Sequence, residues 1–212
     1  MAELPDLTQT EARILGVLME KEKTTPDIYP LTLNALAAGC NQKTSRDPVM
    51  NLTESEIQAA IEELRVRVLV IDSFGASGRV LRYAHNFGKV YGVPAAASAL
   101  LAILMLRGPQ TVSELRANCD RLYRFSDTSS VEGYLEELAT RPAAALCTKL
   151  PKQPGSREHR WAHLLCGPVV TAPQLSDSRS APAADELAAL ERRVACLEEE
   201  IASLRVLLQE RS

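Results

Sequence analysis

The chain carries an internal repeat. Three short blocks occur twice, in the same order and at a nearly constant spacing: residues 36–40, 57–64 and 83–85 recur at 115–119, 131–138 and 161–163. The last pair reads Tyr-Ala-His and Trp-Ala-His. Because the order and spacing are both kept, one supersecondary unit is used twice, and a fold inferred from one copy can be checked against the other.

Capping signals mark the helix starts of the first copy. Thr8 with Glu11 and Thr53 with Glu56 each form a capping box, in which a hydroxyl and a carboxylate satisfy free N–H groups of the first turn. Thr32 precedes a short helical pattern. Between the first two helices lies a β-prone stretch with two prolines. The first copy therefore contains three predicted helices.

Two strand-like segments follow the third helix of each copy. They lie at residues 69–71 and 79–85 in the first copy and at 145–150 and 160–165 in the second. The helices of the second copy are expected to begin at Ala95, at a capping box on Thr111 and at a capping box on Ser129. Three helices and a hairpin of this size predict a winged helix in each copy. The fold class is therefore α+β, mainly helical with small β-hairpins.

The domain organisation follows from the repeat. We expect a first winged-helix domain at 1–90, a second at 91–170, a Pro- and Ser-rich linker at 171–184 and a coiled-coil helix at 185–212. Apolar residues of the last segment alternate at spacings of three and four, with β-branched residues at a and leucine at d, which favours a parallel dimer. They are Leu187, Leu190, Val194, Leu197, Ile201, Leu204 and Leu208. The alternative is a helix that packs back on its own winged helices.

Composition bounds the class of protein. The acidic N-terminus shows no secretory signal, and the longest apolar run, residues 93–106, is too short to cross a bilayer. The cysteines, at positions 40, 119, 147, 166 and 196, form no C-x-x-C pair and are typical of reduced thiols. We therefore expect a cytoplasmic protein with no membrane partner.

Charge is divided unevenly along the chain. Net charge is −2 over residues 1–90, +2 over 91–170 and −3 over 171–212. No segment has the basic excess that is typical of a strong phosphate binder. The weak positive charge of the second copy is the only feature of the net charges that favours binding to a nucleic acid.

Residues 20–36 and 40–50 closely resemble the YceH-like family of bacterial proteins, and Gly78-Arg79-Val80 and residues 83–85 match as well. The resemblance covers roughly residues 7–167. It implies tandem winged helices, in agreement with the interpretation above. It implies no catalytic or ligand residues, and the coiled-coil segment lies outside it.

Polar and basic side chains supply the candidate contacts with a nucleic acid or a partner. They are Asn41, Gln42, Lys43 and Arg46 in the connection before the third helix, Arg79 and Arg82 on the first hairpin, and Arg157 and Arg160 on the second. Two alternatives stay open: ordinary exposed hairpin arginines, and a connection that satisfies its own backbone. In the second, Asn41 caps the preceding helix and Asp47 pairs with Arg46 or Arg79.

The third helices argue against the usual major-groove docking. Their outward faces carry carboxylates and no central Lys or Arg. The chain also lacks a recognisable nucleophile, acid–base pair, phosphate loop or metal-ligand spacing, so we expect no enzyme, no cofactor and no metal. His85 and His163 occupy equivalent positions, which predicts hydrogen-bonded imidazoles with a role in the fold. The favoured function is a dimeric regulator that binds double-stranded DNA; the alternative is a winged-helix scaffold that binds another protein.

Overall fold

The computed structural model describes residues 6–74, 80–152, 155–156 and 158–169, all within one unit, Met1–Val169. Arg79, Arg157, the linker and the coiled-coil segment lie outside the described residues. The described chain has seven α-helices, and none is long and apolar enough to cross a membrane. Together with two small antiparallel sheets, they confirm the α+β class.

Three helices precede an antiparallel strand pair in the first half. Helices α1, α2 and α3 span Gln9–Thr24, Leu33–Cys40 and Glu54–Val66, and strands β1 and β2 span Val70–Phe74 and Leu81–His85. The caps predicted at Thr8, Thr32 and Thr53 are confirmed, and two of them are complete capping boxes.

The second half has the same order with one added strand. Its helices are α5 (Ala95–Arg107), α6 (Val112–Cys119) and α7 (Thr128–Ala139), and its strands are β3 (Gln110–Thr111), β4 (Cys147–Lys149) and β5 (Arg160–His163), in the sheet order β3-β5-β4. A five-residue helix α4, Phe87–Tyr91, joins the halves.

Backbone pairing repeats along with the sequence. An isolated bridge joins Leu31 to Tyr83, and the pair Gln110–Trp161 joins β3 to β5. Both pairings link the residue before a Thr N-cap to the buried aromatic of the repeated tripeptide. The repeat therefore holds at the level of strand register.

The structure differs from the local predictions at four places. The stretch predicted to be β-prone is a 3₁₀ helix, Pro26–Ile28, because Pro26 fits its first turn. Helix α7 is capped by Asp127, whose carboxylate accepts from the Ser130 N–H at 2.7 Å, and not by Ser129. Strand β3 and helix α4 were not predicted, since segments this short carry little periodicity.

The central contact of the fold is between α1 and α5. Helix α5 is apolar on almost every side, which is typical of a buried helix. Gly16 of α1 faces it so closely that a Cβ there would lie 2.9 Å from Leu106 Cγ. Side chains of both halves consequently form one continuous core. The boundary near residue 90 stays a prediction.

Gly39 supplies the first testable prediction. A Cβ at this α2 position would lie 2.6 Å from Cγ1 of Val17, a β-branched side chain that has little rotamer freedom in a helix. We expect Gly39→Ala to destabilise the protein by about 1–3 kcal/mol in urea unfolding. Gly133→Ala is the matched control: its Cβ meets nothing within 4 Å on an exposed face of α7, so the change should stabilise by about 0.5–1 kcal/mol. Equal effects would contradict the close α1–α2 approach.

Candidate nucleic-acid interface

Asn41 closes the connection between α2 and α3. It is the C-cap residue of α2, as one interpretation of the sequence held. Its amide nitrogen donates to the carbonyl of Leu52 at 2.8 Å, and its amide oxygen accepts from the Leu52 N–H at 2.7 Å. Both polar atoms are thus engaged inside the protein.

Arg46 lies inside the fold. It is 6% exposed, and four of its five N–H groups have acceptors in the protein. They donate to the carbonyls of Gly39 and Ser45 and to both carboxylate oxygens of Glu20, with an Nη2–Oε2 distance of 2.6 Å. Arg46 therefore pairs with Glu20, not with Asp47, and its guanidinium is buried away from an external phosphate.

Arg13 of α1 lies beside Arg46 and is 1% exposed. Its guanidinium donates to the carbonyls of Cys40 at 3.1 Å and Pro48 at 2.6 Å. Burial lowers the pKa of Arg13, and the positive charge of Arg46 lowers it further. The two arginines satisfy carbonyls that the end of α2 leaves free. Sequence reasoning missed Arg13, which stands within a run of buried apolar residues.

The same connection holds the second half of the molecule. The Asp47 N–H donates to the carbonyl of Leu106 at 2.8 Å, and Arg107 donates to the Ser45 hydroxyl at 2.7 Å. Of the residues predicted to make contacts here, Lys43 is exposed and Gln42 half-buried. The polar segment chosen from sequence is therefore mainly a structural junction with one outward cation.

The described hairpin arginines have equivalent internal partners. Arg82 donates to the carbonyls of Ile28 and Pro30, and Arg160 donates to the carbonyl of Pro109 at 2.9 Å. Pro30 and Pro109 hold the same place, two residues before a Thr N-cap. Each arginine thus ties its hairpin to the segment that precedes the second helix of its copy.

The outward faces of α3 and α7 are acidic, as expected. Glu62 and Glu63 are exposed on α3, and Glu136 is exposed on α7. Arg65 is half-exposed, but it forms ion pairs with Glu62 and with Asp72, each at 2.7 Å. Neither face presents a free central cation among the residues named.

The connection between α6 and α7, residues 120–127, carries Arg121 and Arg124 beside Asp120 and Asp127, and Arg116 of α6 adds a third arginine. We call this segment the basic turn and define it by six exposed side chains: Arg116, Arg121, Tyr123, Arg124, Ser126 and Thr128. A cleft of about 780 Å³ lies against it. Arg116 and Arg124 line this cleft together with Asp120 and the hydroxyl residues.

The cations of the basic turn are weakly held. The Arg124 side chain is 86% exposed and 3.5 Å from Asp120, a distance and exposure at which an ion pair contributes little. Arg116 donates to the Ser126 carbonyl at 3.0 Å, and Arg121 forms no ion pair with another described residue. Their guanidinium groups remain able to reach an external anion.

Arginines, hydroxyls and an exposed aromatic ring suit a sugar–phosphate backbone. Tyr123 is 38% exposed and packs against Phe125 with its ring tilted by 53° and the ring centroids 4.9 Å apart. Sequence reasoning passed over this segment. The signal was present in the run Arg-Leu-Tyr-Arg-Phe at 121–125, in the half whose net charge is positive.

The two repeated histidines are half-buried, and the predicted hydrogen bonds are missing at Nδ1 of each ring. The buried Nδ1 atoms of His85 and His163 have no hydrogen-bond partner among the described residues, whereas Nε2 of His85 lies 3.5 Å from the carboxylate of Glu22. Burial lowers the pKa of His163 to about 4. It also lowers the pKa of His85, against the opposing charge of Glu22. No group of three potential metal ligands occurs in the described part of the chain.

Arg46 and Lys43 provide a test of their different roles. Arg46→Met removes the partner of Glu20 and should cost about 3 kcal/mol, which lowers Tm by about 6–12 °C. Lys43→Met removes an exposed cation of similar length and should leave Tm nearly unchanged. Thermal unfolding followed by circular dichroism measures both. Similar Tm values for the two variants would show that Arg46 does not hold the junction.

Comparison with known proteins confirms the family resemblance that the sequence analysis identified. A family model described as "Protein of unknown function, DUF480" matches residues 7–156. A UPF0502 protein of Acidovorax sp. (strain JS42) is 54% identical over 207 residues, 96% of this chain and 91% of the relative. Another from Leptothrix cholodnii is 54% identical over 209 residues, 96% of this chain and 93% of the relative. The matched segment contains the residues on which the resemblance to the YceH-like family depends, and the chain belongs to this DUF480 (UPF0502) family of bacterial proteins.

Proposed function

We propose that this protein is a non-enzymatic, DNA-binding regulatory protein built from two tandem winged helices. The order of three helices and an antiparallel strand pair, found twice, supports the winged-helix assignment. So does the position of the bridge at Leu31 and of strand β3, each of which pairs with the last strand of its copy just before the second helix. DNA binding is a common use of this arrangement, and by itself that is only an analogy of fold.

The basic turn is the observation that carries the DNA proposal. In helix-turn-helix proteins the elements around the turn approach the phosphate backbone. The second copy places Arg116, Arg121 and Arg124 there, on an exposed surface. At the corresponding connection of the first copy, Arg46 is buried and only Lys43 is an exposed cation. We therefore assign DNA contact to the second copy and a supporting role to the first.

Backbone contact also fits the acidic third helices. A carboxylate about 7 Å from a phosphate costs on the order of 0.6 kcal/mol in water, and more in a confined groove. Deep insertion of α3 or α7 would bring Glu62 or Glu136 close to phosphates. Contact through the basic turn avoids this repulsion. We accordingly expect affinity with modest sequence preference.

The buried thiols support a role without catalysis. Burial raises the pKa of Cys40, Cys119 and Cys147 to about 12 in each case. Such thiols stay protonated near neutral pH and are poor nucleophiles. The function proposed for the chain depends on binding alone.

A protein-binding scaffold is the second candidate. Five apolar side chains are largely exposed around the end of α3 and the first strand pair, which is unusual for a solvated surface. They are Val66, Val68, Ile71, Phe74 and Val80. Exposed apolar side chains such as Phe74 would suit another protein and not a nucleic acid. The two candidates use different halves of the molecule.

Salt-dependent binding to a duplex tests the DNA proposal. Fluorescence anisotropy with a labelled random duplex should show binding that weakens steeply as salt rises from about 50 to 200 mM. Arg121→Gln combined with Arg124→Gln should reduce the slope of log affinity against log salt by about 2. Arg65→Gln is the control, because Arg65 is already paired with Glu62 and Asp72.

Two outcomes decide between the candidates. Unchanged binding by the Arg121/Arg124 double variant would remove the basic turn from the interface. Lack of any binding at low salt would reject DNA binding itself and leave the scaffold, which Phe74→Ser can then test by loss of a co-purified partner.

The homodimer also remains a proposal, because the leucines that would form it lie outside the described residues. Deletion of residues 180–212 should convert a dimer to a monomer in light scattering, since the a and d positions of the pattern fall in this segment. Deletion of 171–179 alone removes linker and should keep the dimer. A monomeric full-length chain would contradict the coiled-coil prediction.

A further inference from the structure

A cavity of about 500 Å³ lies where the two halves meet. Its lining comes from the end of α1, from the first strand pair, from α4 and the start of α5, and from Leu122 between α6 and α7. This size and a mixed polar and apolar lining are typical of small-molecule sites, which often occur at junctions between domains.

His85 is the unusual polar group of this cavity. Its side chain is 13% exposed, and its buried Nδ1 has no hydrogen-bond partner among the described residues. The nearest charge is Glu22, whose carboxylate lies 3.5 Å from Nε2. Buried polar atoms normally have partners, so the unpartnered Nδ1 of an imidazole that lines a cavity is a candidate for contact with a ligand.

Positive potential is available at the same place. Lys23 and Glu22 lie 2.8 Å apart and offset one another, whereas Lys89 forms no ion pair with another described residue. Helix α5 begins at Ala95 after Pro94, and no side chain caps its N-terminus. Because the first N–H groups of a helix lack intrahelical acceptors, this end of α5 favours an anion.

Asn86 and Ser98 add polar groups to the cavity wall, and most of the remaining lining is apolar. Met19 and Ile71 come from the first half, and Val93, Ala99 and Leu122 come from α5 and its neighbours in the second. An ion such as phosphate would leave this surface unused. The lining therefore suits a ligand with a hydrocarbon part and one negative group.

We propose that this cavity binds a small amphipathic monocarboxylate. The carboxylate lies toward Lys89, His85 and the start of α5, and the hydrocarbon part lies against the apolar wall. A neutral imidazole donates one N–H to a carboxylate oxygen. Glu22 remains with Lys23, so the cavity keeps the net positive charge that a monoanion requires.

Leu122 connects this cavity to the basic turn, since it stands between Arg121 and Tyr123. Occupancy is expected to change the salt-dependent affinity for duplex DNA. This consequence rests on the proposed function, whereas binding of the carboxylate does not.

Calorimetric titration of the full chain with octanoate and with benzoate tests the proposal. We expect one site per chain for at least one of the two acids, and at least about ten-fold weaker binding of the matching uncharged amide, octanamide or benzamide. Lys89→Gln should weaken the acid about five-fold, while Lys152→Gln, an exposed lysine outside the cavity lining, should change nothing. The two acids distinguish an aliphatic from an aromatic preference.

A second readout locates the ligand. Amide and imidazole NMR signals of Ala95, Ser98 and His85 should shift on titration with the bound acid. Absence of binding by both acids at millimolar concentration would overturn the proposal. So would equal affinity for the amide, equal effects of Lys89→Gln and Lys152→Gln, or shifts confined to residues outside the cavity. Binding without any change in DNA affinity would reject only the coupling.

Discussion

The close packing of α1 against α5 is the contact on which the described structure depends. Gly16 allows the approach, because any larger side chain would meet Leu106. The C-terminal end of α5 also binds the connection between α2 and α3. The Asp47 N–H donates to the carbonyl of Leu106, and Arg107 donates to the Ser45 hydroxyl. Both repeats share one hydrophobic core. Each repeat therefore buries more apolar surface than a unit of its size could bury alone.

Some equivalent residues of the two copies have the same structural role, and others have different roles. Arg82 and Arg160 make the same kind of bond to the segment before the second helix, so the hairpin arginines act within the fold in both copies. The connections before the third helix differ. In the first copy, Arg46 is buried and lies beside Arg13 at the end of α2. In the second copy, the Arg124 side chain is exposed to solvent. The proposed division into a supporting copy and a binding copy follows from this difference.

Much of the local structure was predictable. The capping boxes at Thr8, Thr53 and Thr111 depend on residues three positions apart, so sequence determines them. The candidate site was less predictable. Arg46 and Arg124 are the same residue type, and nothing in the neighbouring sequence distinguishes their roles. Arg46 has a structural role because it pairs with Glu20, which is 26 residues away along the chain. Arg13 was missed because a buried arginine needs distant carbonyls that no local pattern reveals.

Sequence alone determined the repeat, most of the helix starts, the α+β class and the family. Each of these depends on spacing along the chain, which local sterics and hydrogen bonding convert directly into structure. Tertiary structure decided which cations face water, which histidine nitrogens lack partners, and where the halves enclose a cavity. These properties depend on residues far apart in sequence, because burial and charge pairing are set by what packs against a side chain and not by its neighbours in the chain.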